Sequence, residues 1–333
     1  MSDVRLDAEK VRALIAGALM RSRTSEANAV SVADALVEAE LVGQGGHGLR
    51  RVAAYAAQAK SGKVDGFATP TLEKVRPGVL AVDAASGFAF PALDFAFAPL
   101  AECARSQGVA LAGFRRSHHC GVAGAVVERY ARNGLVALMF ANSPGAMAPW
   151  GSNRPLFGTN PIAFAAPLGG SEPLVVDVSL SKVARGKIMA ANQKGQAIPP
   201  DWAFDAEGRP TTDAKAALGG TMAPLGDAKG TALALMVELL AAGLTGANYA
   251  YGATSFFDGE GAPPGVGQLI LCIDPGAFGG SAVARFAEMA GMVEQAPGAR
   301  LPGRRRHELK QALLKDGIPV DPSLLADIEA IGR

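Results

Sequence analysis

The sequence predicts an α/β protein in which a mixed-sheet core lies between helical N- and C-terminal segments. Three patterns predict it. Apolar residues recur at helical spacing through the first 70 residues, short apolar runs bounded by Gly, Pro and Asp begin at Thr71, and two further helical patterns fall among those runs. Their order is too irregular for a doubly wound sheet. The expected organisation is a helical segment over 1–70, a core over 71–280, and a helical segment over 281–333 that packs with the N-terminal helices.

Taken in order, residues 7–22 set Val11, Leu14, Ile15 and Leu19 on one helical stripe, and Ser25 is the expected N-cap of a second helix over 25–42. The Gly-rich stretch Gly43 to Gly48 separates these from a third helix, Leu49 to Ser61, which Gly62 stops. Strands are expected at Val79–Asp83, Val109–Gly113, Leu135–Ala141, Ile162–Pro167, Leu174–Val178 and Gln268–Ile273, with helices at Phe90–Ser106 and Ala123–Asn133. Thr231 to Leu244 reads as the most apolar helix. A helix near Ala282 to Val293, a Pro/Arg segment Leu301 to Arg306 and a helical stretch from Glu308 close the chain.

Composition excludes several functions. The 333 residues hold 32 Lys+Arg against 31 Asp+Glu, a net +1, so there is no excess charge to grip a nucleic-acid backbone or an anionic membrane. With 49% hydrophobic and 19% charged residues, the chain has the makings of an ordinary buried core. Cys103, Cys120 and Cys272 are widely spaced and form no C-x-x-C pair, which points to reduced thiols in a cytoplasmic protein. Acids occupy the N-terminus where a secretion signal would be basic, and the longest apolar run contains Glu238 and falls short of the roughly 20 residues a membrane span needs.

Gly43, Gly45 and Gly48 satisfy G-x-G-x-x-G, but a helix precedes them where a dinucleotide fingerprint requires a strand, so they read as an interhelical loop. Within that loop His47 is followed four residues on by Arg51, which puts a proton donor and a guanidinium within reach of one anionic substrate. Four histidines occur, and two are adjacent, His118 and His119. Successive residues of an extended chain face opposite ways, so at most one enters a cleft, and His119 is favoured. A zinc site built from His47, His118, His119 and Cys120 lacks the paired ligand spacing of such sites, and no metal is expected. Asp177 ends a probable strand, Lys229 precedes the apolar helix at a ready anion site, and Arg304, Arg305 and Arg306 form a local cationic cluster.

Gly46-His47-Gly48 with Arg51, Ser117-His118-His119, Asn142-Ser143, Gly158-Thr159-Asn160-Pro161, Asp177, Gly226 to Gly230 and Leu301-Pro302-Gly303 together resemble the type 2 malate/L-lactate dehydrogenase family over nearly the whole chain. The resemblance implies a nicotinamide-binding fold unrelated to the Rossmann fold, a homodimer, and reduction of 2-oxo acids or cyclic imines of 2-carboxylates with NAD(P)H. It makes His47 the proton donor, with His119 the rival acid or base, and Arg51 the carboxylate clamp, with Asn142 and Ser143 also at the substrate. Cofactor contacts are implied for His119, Cys120, Gly121, Val122 and Ala123, for Thr159 and Asn160, for Val176, Asp177 and Val178, for Ala228 and Lys229, and for Arg304 to Arg306.

The sequence departs from the family pattern at Gly46, where many members have Ser, and at Lys187, where imine-reducing members often have Asp. Similarity of the Ser-His-His block and of the helix from Met236 to Tyr251 to the Δ1-pyrroline- and Δ1-piperideine-2-carboxylate reductases makes a cyclic imine the expected substrate, with malate, lactate or 3-sulfolactate as the alternative. A ring imine needs an apolar wall, for which Pro144, Met147 and Trp150 are candidates. NADPH is the expected cofactor, with NADH possible, because the arginine cluster suits an added phosphate.

Overall fold

Capping and apolar spacing decide the first helices of the computed structural model, which describes residues 3–333. After the short strand β1 (Val4–Leu6), Asp7 accepts a hydrogen bond from the Lys10 amide at 2.8 Å and starts α1 (Ala8–Met20), which buries Val11, Ile15 and Leu19 completely. Ser25 caps α2 (Glu26–Leu41) as expected, accepting from the Asn28 amide. The glycine-rich stretch then forms two 3-10 turns, Gly45–His47 and Leu49–Arg51, before α3 (Val52–Ser61). Glu40 fixes that turn by accepting the Leu49 amide at 2.7 Å. A Cβ on Gly48 would stand 2.2 Å from Glu40 Oε1, so glycine is required there to admit the carboxylate.

The sheet begins with β2 (Thr71–Arg76) and β3 (Val79–Asp83), followed by α4 (Ala89–Gln107), β4 (Val109–Ser117), α5 (Ala123–Arg132), β5 (Val136–Ala141), β6 (Ile162–Ala166) and β7 (Leu174–Val178). A smaller region follows, with α6 (Arg185–Gln193), β8 (Ala203–Phe204), α7 (Ala214–Gly219), β9 (Thr221–Met222) and α8 (Ala228–Glu238). The long strand β10 (Val266–Ile273) returns to the sheet, and α9 (Ala282–Gln295), α10 (Arg304–Asp316), β11 (Ile318–Val320) and α11 (Pro322–Ala330) end the chain. Strand order is β2-β3-β4-β10-β5-β6-β7. Only β3 and β4 run parallel, the crossover being α4, so the sheet is mixed as expected.

Alternation explains the core. Ala110, Ala112 and Phe114 of β4 turn one way and pack with Ile270 and Cys272 of β10 and Ala137 and Met139 of β5 against α4 and α5. A second core joins α1, α2 and α3 to Ile318, Val320 and Ile328 from the far end of the chain, and β1 pairs with β11 there, Val4 opposite Val320. A third gathers Met147, Phe157, Leu180, Ile188, Ala234 and Val237 around the smaller region.

Several elements differ from expectation for physical reasons. The edge strand β2 packs only Leu72 against the core and exposes its other residues, so its charged sequence carries no apolar alternation, and its Glu73, Lys74 and Arg76 blunt an open edge. Arg304 to Arg306 are the first turn of α10, not an irregular segment. The most apolar helix, α8, buries Ala234, Val237 and Glu238 but leaves Leu233, Leu235 and Met236, with Leu239 just past its end, between 38% and 52% exposed. No helix of the described residues is long and apolar enough to cross a membrane.

Glu238 is the polar hub of this half of the molecule. Only 3% exposed, it accepts from Asn142 Nδ2 at 2.9 Å, Asn160 Nδ2 at 2.7 Å and the Ala250 amide at 2.5 Å. Replacement by alanine strands three donors in a dry setting, so Glu238→Ala is expected to lower unfolding stability by about 3 kcal/mol in urea titration; a loss below about 1 kcal/mol contradicts the hub.

Candidate active site

One face of α3 and the turn before it presents Arg51, Tyr55 and Gln58 at helical intervals toward the end of β4, where His118 and His119 emerge. Alternation separates the histidine pair as expected. His118 turns inward, 1% exposed, and its Nε2 lies 2.8 Å from Gln58 Oε1, while Phe88, Phe256 and Tyr55 enclose the ring. His119 meets His47: the rings are stacked with centroids 5.0 Å apart, and His119 Nε2 lies 3.1 Å from His47 Nδ1. On its other side His119 Nδ1 is 2.5 Å from the Tyr55 hydroxyl.

Arg51 completes the cluster. Its Nε donates to the Gly46 carbonyl at 2.8 Å, its guanidinium carbon stands 4.5 Å over the Phe257 ring, and its buried Nη1 has no partner. An unpaired buried guanidinium nitrogen is rare in a native interior and suits an incoming carboxylate. Burial lowers the basicity of Arg51 itself. Burial first and the Arg51 charge second push His47 down to about 4 and His118 down to about 3, and the same causes hold His119 well below its ordinary value. The three rings are therefore neutral at pH 7 when nothing anionic is bound.

The loop over the rings is anchored from α3. Gln58 Nε2 donates to the Phe256 carbonyl at 2.9 Å, and the ammonium of Lys63, its side chain 1% exposed, holds the Ser255 carbonyl at 2.8 Å and Asp258 Oδ1 at 3.1 Å. Tyr55, Gln58, Lys63 and Glu238 carry this architecture and were missed by sequence reasoning; the signal for the first two was their spacing of four and seven residues from Arg51 on one helix face.

A second assembly gathers the residues implied for the cofactor. From His119 the chain runs through Cys120, Gly121 and Val122 to Ala123, the first residue of α5. The Cys120 thiol is pushed up to about 12 by burial, with Asp177 adding to the shift, so it stays an unreactive thiol. The Gly124 amide donates to Asp177 Oδ2 at 2.9 Å, and Arg306 Nη1 lies 3.7 Å from the same oxygen. A Cβ on Gly124 would fall 2.6 Å from Arg306 Nη1, so the glycine admits this contact. Arg306 Nη2 is buried without a partner. Val176 and Val178 flank Asp177 on β7, and a cavity of about 480 Å³ opens beside it, lined in part by Val175, Arg304, Arg306, His307 and Lys310.

The arginine cluster does not act as one patch. Arg304 pairs with Glu294 and Glu308, Arg305 is exposed, and only Arg306 turns to the β7 end. Asn142 has both amide protons committed to Glu238 and the Asn248 carbonyl and accepts from the Gly267 amide, and Asn160 donates to Glu238 and the Ala234 carbonyl. Both serve the scaffold behind the cleft. Ser143 Oγ accepts from the Thr159 amide at 3.1 Å. Ala228 and Lys229 lie exposed at the start of α8, with no hydrogen bond or ion pair to the histidines among the described residues. Of the three wall candidates, Met147 is buried in the third core and Trp150 is 52% exposed. Among the described residues no group of three or more His, Cys, Asp or Glu side chains gathers to hold a metal.

The site thus joins a mixed sheet without a dinucleotide fingerprint to stacked histidines and an arginine with one unpaired nitrogen. The chain belongs to the malate/L-lactate dehydrogenase family, whose model matches residues 6–329, and it is an oxidoreductase. It is 52% identical over 279 residues, 84% of each chain, to the (2R)-3-sulfolactate dehydrogenase (NADP(+)) of Chromohalobacter salexigens. It is 40% identical, over 98% of this chain and 97% of the other, to a Δ1-pyrroline-2-carboxylate/Δ1-piperideine-2-carboxylate reductase of Pseudomonas putida. The solved Δ1-piperideine-2-carboxylate reductase of Pseudomonas syringae superposes with a TM-score of 0.93 at 37% identity, covering 98% of this chain and 99% of that one.

Neutral buried histidines leave a signature in stability. In the unfolded chain His118 titrates near 6.5, and in the fold its value is about 3, so between these the unfolded state binds a proton that the native state refuses. This contribution is complete above pH 6.5 and is lost as pH falls. Urea titrations of wild type and His118→Gln should therefore diverge in slope, the wild type losing about 1.4 kcal/mol more per pH unit between pH 6 and 4.5; parallel pH curves contradict a neutral His118.

Proposed function

We propose that the protein is an NADPH-dependent reductase of a small 2-oxo carboxylate, with 3-sulfopyruvate and (2R)-3-sulfolactate as the oxidised and reduced partners. The observation that carries the reading is Arg51, a buried guanidinium with a free Nη1 beside the stacked pair His47 and His119. A carboxylate paired with Arg51 cancels the charge that opposes protonation of those rings. His47 offers the hydrogen on Nε2, the ring nitrogen not engaged by His119, to the oxygen on C2. Phe257 keeps the guanidinium flat against its ring, and the Lys63 anchor holds that roof over the cleft, limiting the water that reaches the reacting carbon.

NADPH, when bound, supplies the hydride to C2. The residues present fit it: Asp177 and the unpartnered Nη2 of Arg306 offer an acceptor and a cation to its sugar and phosphate groups beside an open cavity. The same reading includes a homodimer, since Leu233, Leu235, Met236 and Leu239 form an apolar strip of the kind a soluble monomer rarely leaves in water. Three buried free thiols fit a reducing, cytoplasmic setting.

The sulfonate substrate is favoured by the relative at 52% identity and by Lys187, which stands where imine-reducing members of the family often have Asp. Cyclic imine reduction is the second reading, supported by relatives at 40% and 39% identity that each cover 98% of the chain. Initial rates with NADPH decide between them. The expected kcat/KM for 3-sulfopyruvate exceeds that for Δ1-pyrroline-2-carboxylate by about tenfold or more, or ~1.4 kcal/mol in transition-state binding; the reverse order selects the imine, and inactivity on both overturns the reductase reading.

A further inference from the structure

We propose that Tyr55 is a positioning residue that, through His119, locks His47 in the tautomer with hydrogen on Nε2, and so makes the site complementary to a carbonyl oxygen rather than to an iminium. The inference rests on the reductase reading above and extends it to the choice of electrophile.

The argument is one of donor and acceptor arithmetic. A neutral imidazole has one N–H and one lone pair, so fixing the role of one nitrogen fixes the other. The Tyr55 side chain is fully buried with its ring beside Phe88 and Phe90, and among the described residues its hydroxyl has no hydrogen-bond partner but His119 Nδ1 at 2.5 Å. Its single hydrogen is satisfied only by donating to that nitrogen. His119 then carries its hydrogen on Nε2 and donates to His47 Nδ1 at 3.1 Å, which leaves the hydrogen of His47 on Nε2. The opposite order, with His119 donating to Tyr55, strands a buried hydroxyl hydrogen among aromatic rings. Burial and the Arg51 charge keep both rings neutral before substrate arrives, which is the condition the arithmetic needs.

The consequence is selective. A 2-oxo acid presents a lone pair to His47 Nε2–H and is held in line for reduction. A cyclic iminium has no lone pair on nitrogen; it presents its own N–H to the histidine's and brings positive charge toward Arg51. With glycine at position 46 the residue before His47 offers it no side-chain partner, so the Tyr55–His119 chain is the local device that orients the ring.

The test uses the full-length enzyme without ligand. Nitrogen-15 chemical shifts of the histidine rings at pH 7 should show Nε2–H tautomers for His47 and His119 in wild type and a mixture of tautomers in Tyr55→Phe, with the thermal melt reporting that the variant is folded. In parallel, Tyr55→Phe should lower kcat/KM for a 2-oxo carboxylate by about tenfold, leave NADPH affinity within about twofold, and leave the rate on a cyclic imine unchanged or raised. An Nδ1–H tautomer at His47 in wild type, or unaltered tautomers in the folded variant, overturns the proposal. Wild-type inactivity on both substrate classes overturns the reductase reading instead, and the ring spectra still decide the tautomer.

Discussion

The contact between one face of α3 and the end of β4 is the constraint on which the rest of the site depends. Tyr55 reaches His119 and Gln58 reaches His118, so two buried hydrogen bonds join the helical N-terminal region to the central sheet. Because that junction is dry, the imidazoles stay neutral and the Arg51 charge is felt strongly by them. Just past the helix end at Gly62, Lys63 joins Gln58 in pinning the loop carrying Phe256 and Phe257 over the rings. Proton donor, carboxylate clamp and roof are thus set by the side chains of one short stretch, residues 47–63.

Two kinds of buried charge in this molecule have opposite meanings. Glu238 is buried but answered on every side, by Asn142, Asn160 and the Ala250 amide, and it organises turns behind the cleft. Arg51 and Arg306 are partly buried and unanswered at one nitrogen each. A satisfied charge stabilises a scaffold, whereas an unsatisfied one costs stability until a ligand supplies the missing oxygen. Arg51 lies beneath the hydride acceptor's carboxylate in the proposed reaction, and Arg306 beside the β7 end where cofactor phosphate is proposed to bind.

Much of this was legible in the sequence. Ser25 as a cap, the limits of β3 and β7, and the alternation that parts His118 from His119 follow from local rules that the tertiary structure does not override. His47 with Arg51 was visible as spacing on one turn. Tyr55, Gln58 and Lys63 were not, because an aromatic and an amide on a helix and a lysine just past its end are ordinary until segments 60 or more residues away supply their partners. Asn142 shows the converse error: its motif is real, but its carboxamide is consumed by Glu238, a residue whose sole sequence signal was a charge in an apolar helix. Strand β2 escaped notice because an edge that buries little but Leu72 needs no apolar period.

The claim at the centre is that Arg51 is held empty-handed for the substrate carboxylate while the cofactor is bound elsewhere. Steady-state kinetics and NADPH fluorescence titration of Arg51→Met test it most directly. The account predicts that kcat/KM for the 2-oxo carboxylate falls by roughly 10²-fold or more, about 3 kcal/mol, while NADPH affinity changes by less than about twofold. Retained kcat/KM, or a loss of NADPH binding in step with activity, contradicts it.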